Sequence, residues 1–458
     1  MTANPSSCRC PVTKSHAHSG AAKPLSAVRS GPLQGVVRVP GDKSISHRAL
    51  MFGALATGVT RIKGLLEAED VINTAKAVTL LGAPALKRDP IWEVRGRGVG
   101  GLVQPAGDLD FGNSGTGSRL MTGVIAGHDM QVRFVGDASL SRRPMRRVLD
   151  PLKRMGLGVI EDRETLPLTL RGTSSLVPIE YATPVPSAQV KSAILLAGLS
   201  AAGETTVIEK EATRDHTERM LRYFGATVRT AKRDGKNAIT VQGDAELEGR
   251  EVTVPGDPSS AAFLAAAAVI VPGSEVTIEG VLVNETRTGF YTTLADMGAD
   301  VVLLNRREEG GEPIADIRVR HGRLKGVTVP AHRAPSMIDE YPILSVVAAF
   351  AAGETRMEGL AELKVKESDR LAATAAGLIA NGIGARVEGD TLIVAGSRQP
   401  AGGGIVVTHM DHRIAMAFLI LGLASDRPVT VDDMTFVATS FPAFRGLMEQ
   451  LGATFQAV

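Results

Sequence analysis

Several stretches of this chain gather hydroxyls, amides and cations beside glycine, a chemistry suited to small anions. The first is Gly41-Asp42-Lys43-Ser44-Ile45-Ser46-His47-Arg48. It reads as a strand-to-helix turn, where free backbone N–H groups and the helix dipole favour negative charge. Lys43 and Arg48 add charge and Ser44 a hydroxyl, but the glycine spacing is not that of a Walker A loop. The second, Gly112-Asn113-Ser114-Gly115-Thr116-Gly117-Ser118-Arg119, opens another helix with glycines that let a ligand approach the backbone. The third, Ser141-Arg142-Arg143-Pro144-Met145-Arg146-Arg147, is dense in guanidinium forks that match carboxylate and phosphate. Exposed helix charge accounts equally well for Arg142, Arg146 and Arg147. The fourth pairs Ser187-Ala188-Gln189-Val190-Lys191-Ser192 with Arg214-Asp215-His216.

The second half sets carboxylates beside cations, in Asp339-Glu340 and in Lys364-Val365-Lys366-Glu367-Ser368-Asp369-Arg370. His409-Met410-Asp411-His412-Arg413 opens a further helix. Adjacent residues such as His412 and Arg413 point about 100° apart on a helix, and no cluster completes a coordination set, so no metal is expected. Cys8, Cys10, His16 and His18 read as a tail rather than a zinc site.

The elements that position these groups form an internal repeat. A small-residue helix, a Gly or Asp turn and a β-branched strand recur at 47–64, 118–136, 190–209, 260–280, 341–359 and 412–433. A second helix follows each, ending in Leu-Gly-Ala or a variant, with Gly82, Gly156, Gly225, Gly298, Gly384 and Gly452 as left-handed caps. Neighbouring copies lie about 70 to 85 residues apart. Val-Pro-Gly-Asp occurs at 39–42 and again at 254–257. These copies read as two crossings between pseudo-symmetric halves: a tail over 1–23, one domain over 40–255, and another over 24–39 plus 256–458. If the helices of each half are aligned, their N-termini face one interdomain cleft that attracts small polyanions.

Composition narrows the classes. The chain has 458 residues, a net charge of +2 and 4% aromatics, so neither a polyanion partner nor a base-stacking platform is indicated. Two cysteines, both in the tail, permit no disulfide framework and fit a reducing compartment. The first acidic residue is Asp42, which gives the tail a transit-peptide composition, yet Pro5, Pro11 and Pro24 oppose an amphipathic helix. No apolar run reaches membrane length. A cytoplasmic monomer with no membrane or nucleic-acid partner is expected.

GDKSISHR, GNSGTGSR, RRPM, SAQVKS, KESDR and DHRIAMA occur in that order. With them the chain resembles the 5-enolpyruvylshikimate-3-phosphate synthase family from about Pro32 to its end. RAPSMIDEYPIL and ATSFP look like the class II bacterial branch. The resemblance implies an inside-out α/β barrel of two domains, each of three βαβαββ units, which agrees with the repeat. It implies enolpyruvyl transfer from phosphoenolpyruvate to shikimate 3-phosphate without a cofactor. It also implies roles: Lys43 bridges both substrates, and Ser44, Arg48, Ser187, Ala188, Gln189 and Arg214 hold shikimate 3-phosphate. Gly115, Arg143, Arg370 and Arg413 hold phosphoenolpyruvate, with Gln189 shared, Lys366 near the shikimate hydroxyl, and Asn113 and His412 in the binding set. Asp339 accepts the proton of the attacking hydroxyl, and Glu367 gives and takes the methylene proton. Thr439 departs from the family pattern, standing where many relatives carry a substrate-binding Lys; Leu120 replaces a Pro. Gly115 stands where herbicide-tolerant relatives carry Ala, so glyphosate is expected to compete for the phosphoenolpyruvate site. The sister family acting on UDP-N-acetylglucosamine shares the architecture but generally uses a loop Cys, and no Cys follows Cys10. A non-catalytic anion-binding relative is the other alternative, opposed by intact Asp339, Glu367 and Lys43.

Overall fold

The computed structural model describes residues 22–161 and 163–458. The reading of Cys8, Cys10, His16, His18 and most of the tail falls outside the described residues.

Among the described residues the helices come in pairs, two per repeat. The N-terminal half carries α1 (Lys43–Leu55), α2 (Glu69–Leu80), α3 (Gly115–Ala126), α4 (Arg146–Met155), α5 (Ala188–Gly198) and α6 (His216–Tyr223). The C-terminal half carries α7 (Pro258–Ile270), α8 (Gly289–Asp296), α9 (Tyr341–Ala349), α10 (Arg370–Ala380), α11 (His412–Gly422) and α12 (Phe444–Gln450). Each pair belongs to one of six four-stranded sheets, the βαβαββ unit. In the second unit, Leu109–Asp110 runs parallel to Gln131–Val135, with Leu168–Arg171 and Gly158–Val159 added antiparallel. The parallel pair needs a crossover, which α3 supplies.

The odd-numbered helices lie inside and the sheets outside. Helix α7 buries every residue, and α11 does the same. A helix apolar all round must sit in a core. Ala and Gly let these inner helices approach closely: a Cβ on Gly123 of α3 would lie 2.2 Å from the Ala193 carbonyl oxygen of α5. The strands alternate, as in the exposed–buried pattern of Val59–Lys63, which suits a sheet with one wet face. One apolar cluster runs from Ile45 to Val254 with Leu282 added; the other joins Leu25–Val39 to residues from Ala261 to Phe455.

The two chain crossings exchange strands. Gln34–Val37, which leads into α1, pairs parallel with Glu275–Leu282 of the other half. Glu251–Thr253, which leads towards α7, pairs parallel with Val59–Lys63. The two Val-Pro-Gly-Asp segments then bond reciprocally, Asp42 N–H to the Pro255 carbonyl at 2.7 Å and Asp257 N–H to the Pro40 carbonyl at 2.9 Å. Gly41 is required there, since a Cβ would sit 2.0 Å from the Gly64 carbonyl oxygen. Leu25–Val28 fills the sixth sheet between Val429–Val431 and Thr454–Ala457. One cap expectation is corrected. The left-handed glycine after α10 is Gly382 (φ 74°), while Gly384 starts the strand Gly384–Glu388. The helix ends at Ala380, so Gly382 stands two residues beyond it, as Gly82 does beyond α2.

Candidate active site

Five of the six odd helices start with side-chain caps; α9, preceded by Glu340, has none. Asp42 accepts from Ile45 N–H at 2.7 Å, Ser114 from Gly117 N–H at 3.0 Å and Ser187 from Val190 N–H at 3.4 Å. Asp257 and Asp411 do the same for α7 and α11. Each cap satisfies one orphan donor and fixes where its helix begins. Between the two lobes these ends enclose a chamber of about 440 Å³.

The sequence-predicted residues Lys43, Ser44, Gly115, Arg143, Ser187, Ala188, Gln189 and Arg214 line it from the first lobe. Asp339, Lys366, Glu367 and Arg413 line it from the second. Arg48, Asn113, Arg370 and His412 stand behind the wall. Arg48 is spent on Thr217, Ser192 and the Ser44 carbonyl, at 2.8, 2.8 and 2.9 Å. Asn113 braces Arg143, accepting from Nη1 at its carbonyl and from Nη2 at its side chain.

Arg370 is the keystone of the catalytic wall. It is 1% exposed and donates from Nε to Asp411 at 2.8 Å. Its Nη1 reaches Asp339 at 3.1 Å, and its Nη2 pairs with Glu367. Asp339 also holds Arg214 across the cleft at 2.6 Å and Lys366 of its own lobe at 3.6 Å. Burial alone would raise the Asp339 carboxyl, but Lys366, Arg413, Arg214 and Arg370 outweigh it and hold it well below the usual range. Glu367 follows the same logic: burial opposes ionisation, yet Arg370, Arg143, His412 and Lys43 keep the carboxyl well below normal. Burial, then the charges of Lys43 and Arg413, push His412 well below the ordinary imidazole value.

The chamber is less one-sided than the sequence suggests. Eight cations and seven carboxylates line it. Lys43 lies 3.0 Å from Asp70, and Arg143 lies 3.5 Å from Glu367. A cluster of bare cations this deep would be too costly, so the protein supplies the counter-charge.

A family model described as EPSP synthase (3-phosphoshikimate 1-carboxyvinyltransferase) matches residues 28–448. The chain belongs to the EPSP synthase family. A 3-phosphoshikimate 1-carboxyvinyltransferase of Methylorubrum populi is 59% identical over 446 residues, covering 96% of this chain and 98% of the relative. One of Paramagnetospirillum magneticum is 60% identical over 436 residues, 94% and 98% of the two chains. The solved EPSP synthase of Acinetobacter baumannii superposes with a TM-score of 0.84 at 43% identity, over 95% of this chain and all of that one. The inside-out α/β architecture that the resemblance implied is thus that of the family. Among the described residues no helix is long and apolar enough to cross a membrane.

Other residues of this EPSP synthase family member escaped the sequence reading. Asp70 of α2 and Arg287 of the turn Glu285–Arg287 line the chamber without any local signal. Ser259 was open to inference, because it follows the second Val-Pro-Gly-Asp much as Ser44 follows the first. Arg119, in the quoted glycine motif, donates to Gln189 at 3.0 Å, and Gln189 donates to Thr116 at 3.0 Å. Thr439 is buried, its hydroxyl turned back to the Phe436 carbonyl at 2.7 Å. Leu120 packs in the first lobe's core.

Proposed function

We propose that this chain transfers the enolpyruvyl group of phosphoenolpyruvate to the 5-hydroxyl of shikimate 3-phosphate, releasing phosphate. The observation that carries this reading is the placement of Asp339 and Glu367 on one guanidinium, Arg370, at the wall of a single chamber. Addition–elimination needs two carboxylates with divided tasks and fixed relative positions. Asp339, held ionised, takes the proton of the 5-hydroxyl as its oxygen bonds to C2 of phosphoenolpyruvate. Glu367 gives a proton to C3, forming a tetrahedral intermediate. It then takes a methyl proton back as the bond from C2 to the phosphate oxygen breaks. The proton on Asp339 leaves with the phosphate, so atoms and charge balance.

Glu367 must carry a proton to act first as an acid, and the ligand-free geometry keeps it ionised. Phosphoenolpyruvate resolves this. Its carboxylate and phosphate draw on Arg143, Arg370 and Lys43, the cations that hold the Glu367 carboxyl down. With their charge shared, burial prevails and Glu367 takes up a proton. Shikimate 3-phosphate occupies the end framed by Ser44, Ser187, Ala188, Gln189 and Arg214, and Lys43 stands between the two. Helix ends and guanidinium groups stabilise the leaving phosphate.

Mixing the purified protein with both substrates and measuring released phosphate tests the reading. Release dependent on both substrates is expected, and Asp339→Asn lowers kcat about 10²–10⁴-fold. No release from the parent protein overturns it.

A further inference from the structure

A second cavity, of about 580 Å³, adjoins the chamber along the seam between the lobes. The two share Arg143, Pro144, Val365, Lys366 and Glu367 as a common wall. The partition is slight. Arg143 and Glu367 meet at 3.5 Å, and the Ser139 hydroxyl donates to the Glu367 carbonyl at 3.4 Å. The far side of the cavity is basic, with Arg142 from one lobe and Lys364 and His409 from the other. Among the described residues no carboxylate pairs with Arg142, and Lys364 reaches only the Gly389 carbonyl, at 3.1 Å. Asp369, which also lines the cavity, is committed to capping α10 through Ala372 N–H at 3.0 Å.

Stronger bridges join the lobes elsewhere along the chamber wall. Arg147 bridges the lobes to both oxygens of Glu362, at 2.9 and 3.0 Å, and Arg214 bridges them to Asp339. With the larger product seated at the Ser187–Gln189 end, an anion formed beside Glu367 meets these bridges on one side and a single long ion pair on the other.

We propose that this second cavity is a vestibule for the small phosphate-bearing reactant, admitting phosphoenolpyruvate to the chamber and releasing inorganic phosphate from it while the lobes stay together. The proposal rests on the enolpyruvyl transfer argued above. Arg142 and Lys364 concentrate the dianion by long-range attraction, and the Arg143–Glu367 pair parts to pass it. Arg142, which that reaction leaves unused, thereby has a task.

Two kinds of variant test it. Arg142→Gln combined with Lys364→Gln removes the charge. Ala376→Trp, at an exposed position of α10 lining the cavity, narrows the space. For the double variant, kcat/KM for phosphoenolpyruvate falls about tenfold at low ionic strength, and the loss fades in high salt. For Ala376→Trp a comparable loss persists in high salt. Shikimate 3-phosphate binding, measured by calorimetry without phosphoenolpyruvate, stays at the parent value in both. In the reverse direction KM for phosphate rises; a change in only one of the two constants identifies inward or outward traffic. Parent-like constants for phosphoenolpyruvate and phosphate in both variants overturn the vestibule. A parent protein that releases no phosphate at all instead overturns the reaction.

Discussion

Arg287 lies 2.8 Å from Asp42 and 3.3 Å from Asp257, joining the N-cap aspartates of the two chain crossings. All three are buried. Burial would raise the Asp42 carboxyl, but Arg287 and His216 lower it; Asp257 is raised by burial and by Asp42. Two acids therefore depend on one guanidinium at the point where the lobes meet. Arg287→Met leaves them facing each other in the interior. Removing one partner of such a network costs about 3–5 kcal/mol. The midpoint of thermal unfolding should fall by about 10 °C for lobes of this size. A shift of only a degree or two in a calorimetric scan would show that the aspartates need no cation.

The Glu367 argument makes proton uptake part of substrate binding. Between the depressed carboxyl value of the free enzyme and the higher value of the complex, binding phosphoenolpyruvate draws protons from solution. Its affinity therefore strengthens as pH falls through that window. Calorimetry in buffers of different ionisation enthalpy should report net proton uptake within that window. Glu367→Gln should abolish that uptake, and uptake undiminished in the variant would place the proton elsewhere.

His47 makes acid sensitivity predictable for the apo fold. Burial, then Lys43 and Arg48, push its value down to about 3. Its ring is held by Thr74 at 2.8 Å and sits 3.4 Å from Ser114. The unfolded chain protonates an ordinary His near 6.5, while the folded one stays neutral until about 3. Stability is therefore complete above 6.5 and is lost as pH falls through the range between these values. The loss reaches roughly 3 kcal/mol by pH 4. Urea midpoints for the parent and His47→Gln should converge as pH is lowered from 7 to 4. Parallel lines would refute the assignment.

Much of this was readable because capping is local. Asp42, Ser114, Ser187, Asp257 and Asp411 sit within a few residues of the N–H groups they accept, so their motifs announce the helix starts. The missing partners are distant in sequence. Asp70 meets Lys43 across 27 residues and Arg287 meets Asp42 across 245, and no periodicity encodes either pairing. The strand exchange was foreshadowed only by a repeated tetrapeptide, since sheet partners are chosen by packing of whole lobes. Gly384 misled because Ile383 interrupts the Gly-Ala pair: Ile383 takes the buried place that Ala83 holds after Gly82, and Gly382 is the cap.

Gly115 sits where a methyl would matter. A Cβ there would lie 2.8 Å from Arg119 Nη1 and 3.2 Å from Arg143 Nη1. Both neighbours are ends of long side chains, so the fold tolerates the change while the guanidinium groups shift. Gly115→Ala should retain activity with a several-fold higher KM for phosphoenolpyruvate. The concentration of glyphosate that halves activity should rise by at least tenfold, because its backbone is longer than that of the substrate and has less room in a narrowed site. Equal inhibition of parent and variant would remove glyphosate from this pocket.

Ion pairs cross the seam between the lobes, which predicts how the lobes move. Arg147–Glu362, Arg214–Asp339 and Arg143–Glu367 all cross it. The first is partly exposed, at 43% and 33%, so it is worth at most about 1 kcal/mol and weakens in salt. In the proposed reaction the inner pairs give way to substrate anions, which would then bridge the lobes in their place. Solution scattering should therefore show larger dimensions for Arg147→Ala than for the parent without ligand. Both proteins should contract to the same profile with shikimate 3-phosphate and phosphoenolpyruvate. Turnover at saturation should change less than threefold, since the pair acts on the open–closed balance and not on the chemistry. Identical ligand-free profiles for parent and variant would mean that the outer pair does not hold the lobes, leaving the inner pairs and the crossings at Asp42 and Asp257 to do so.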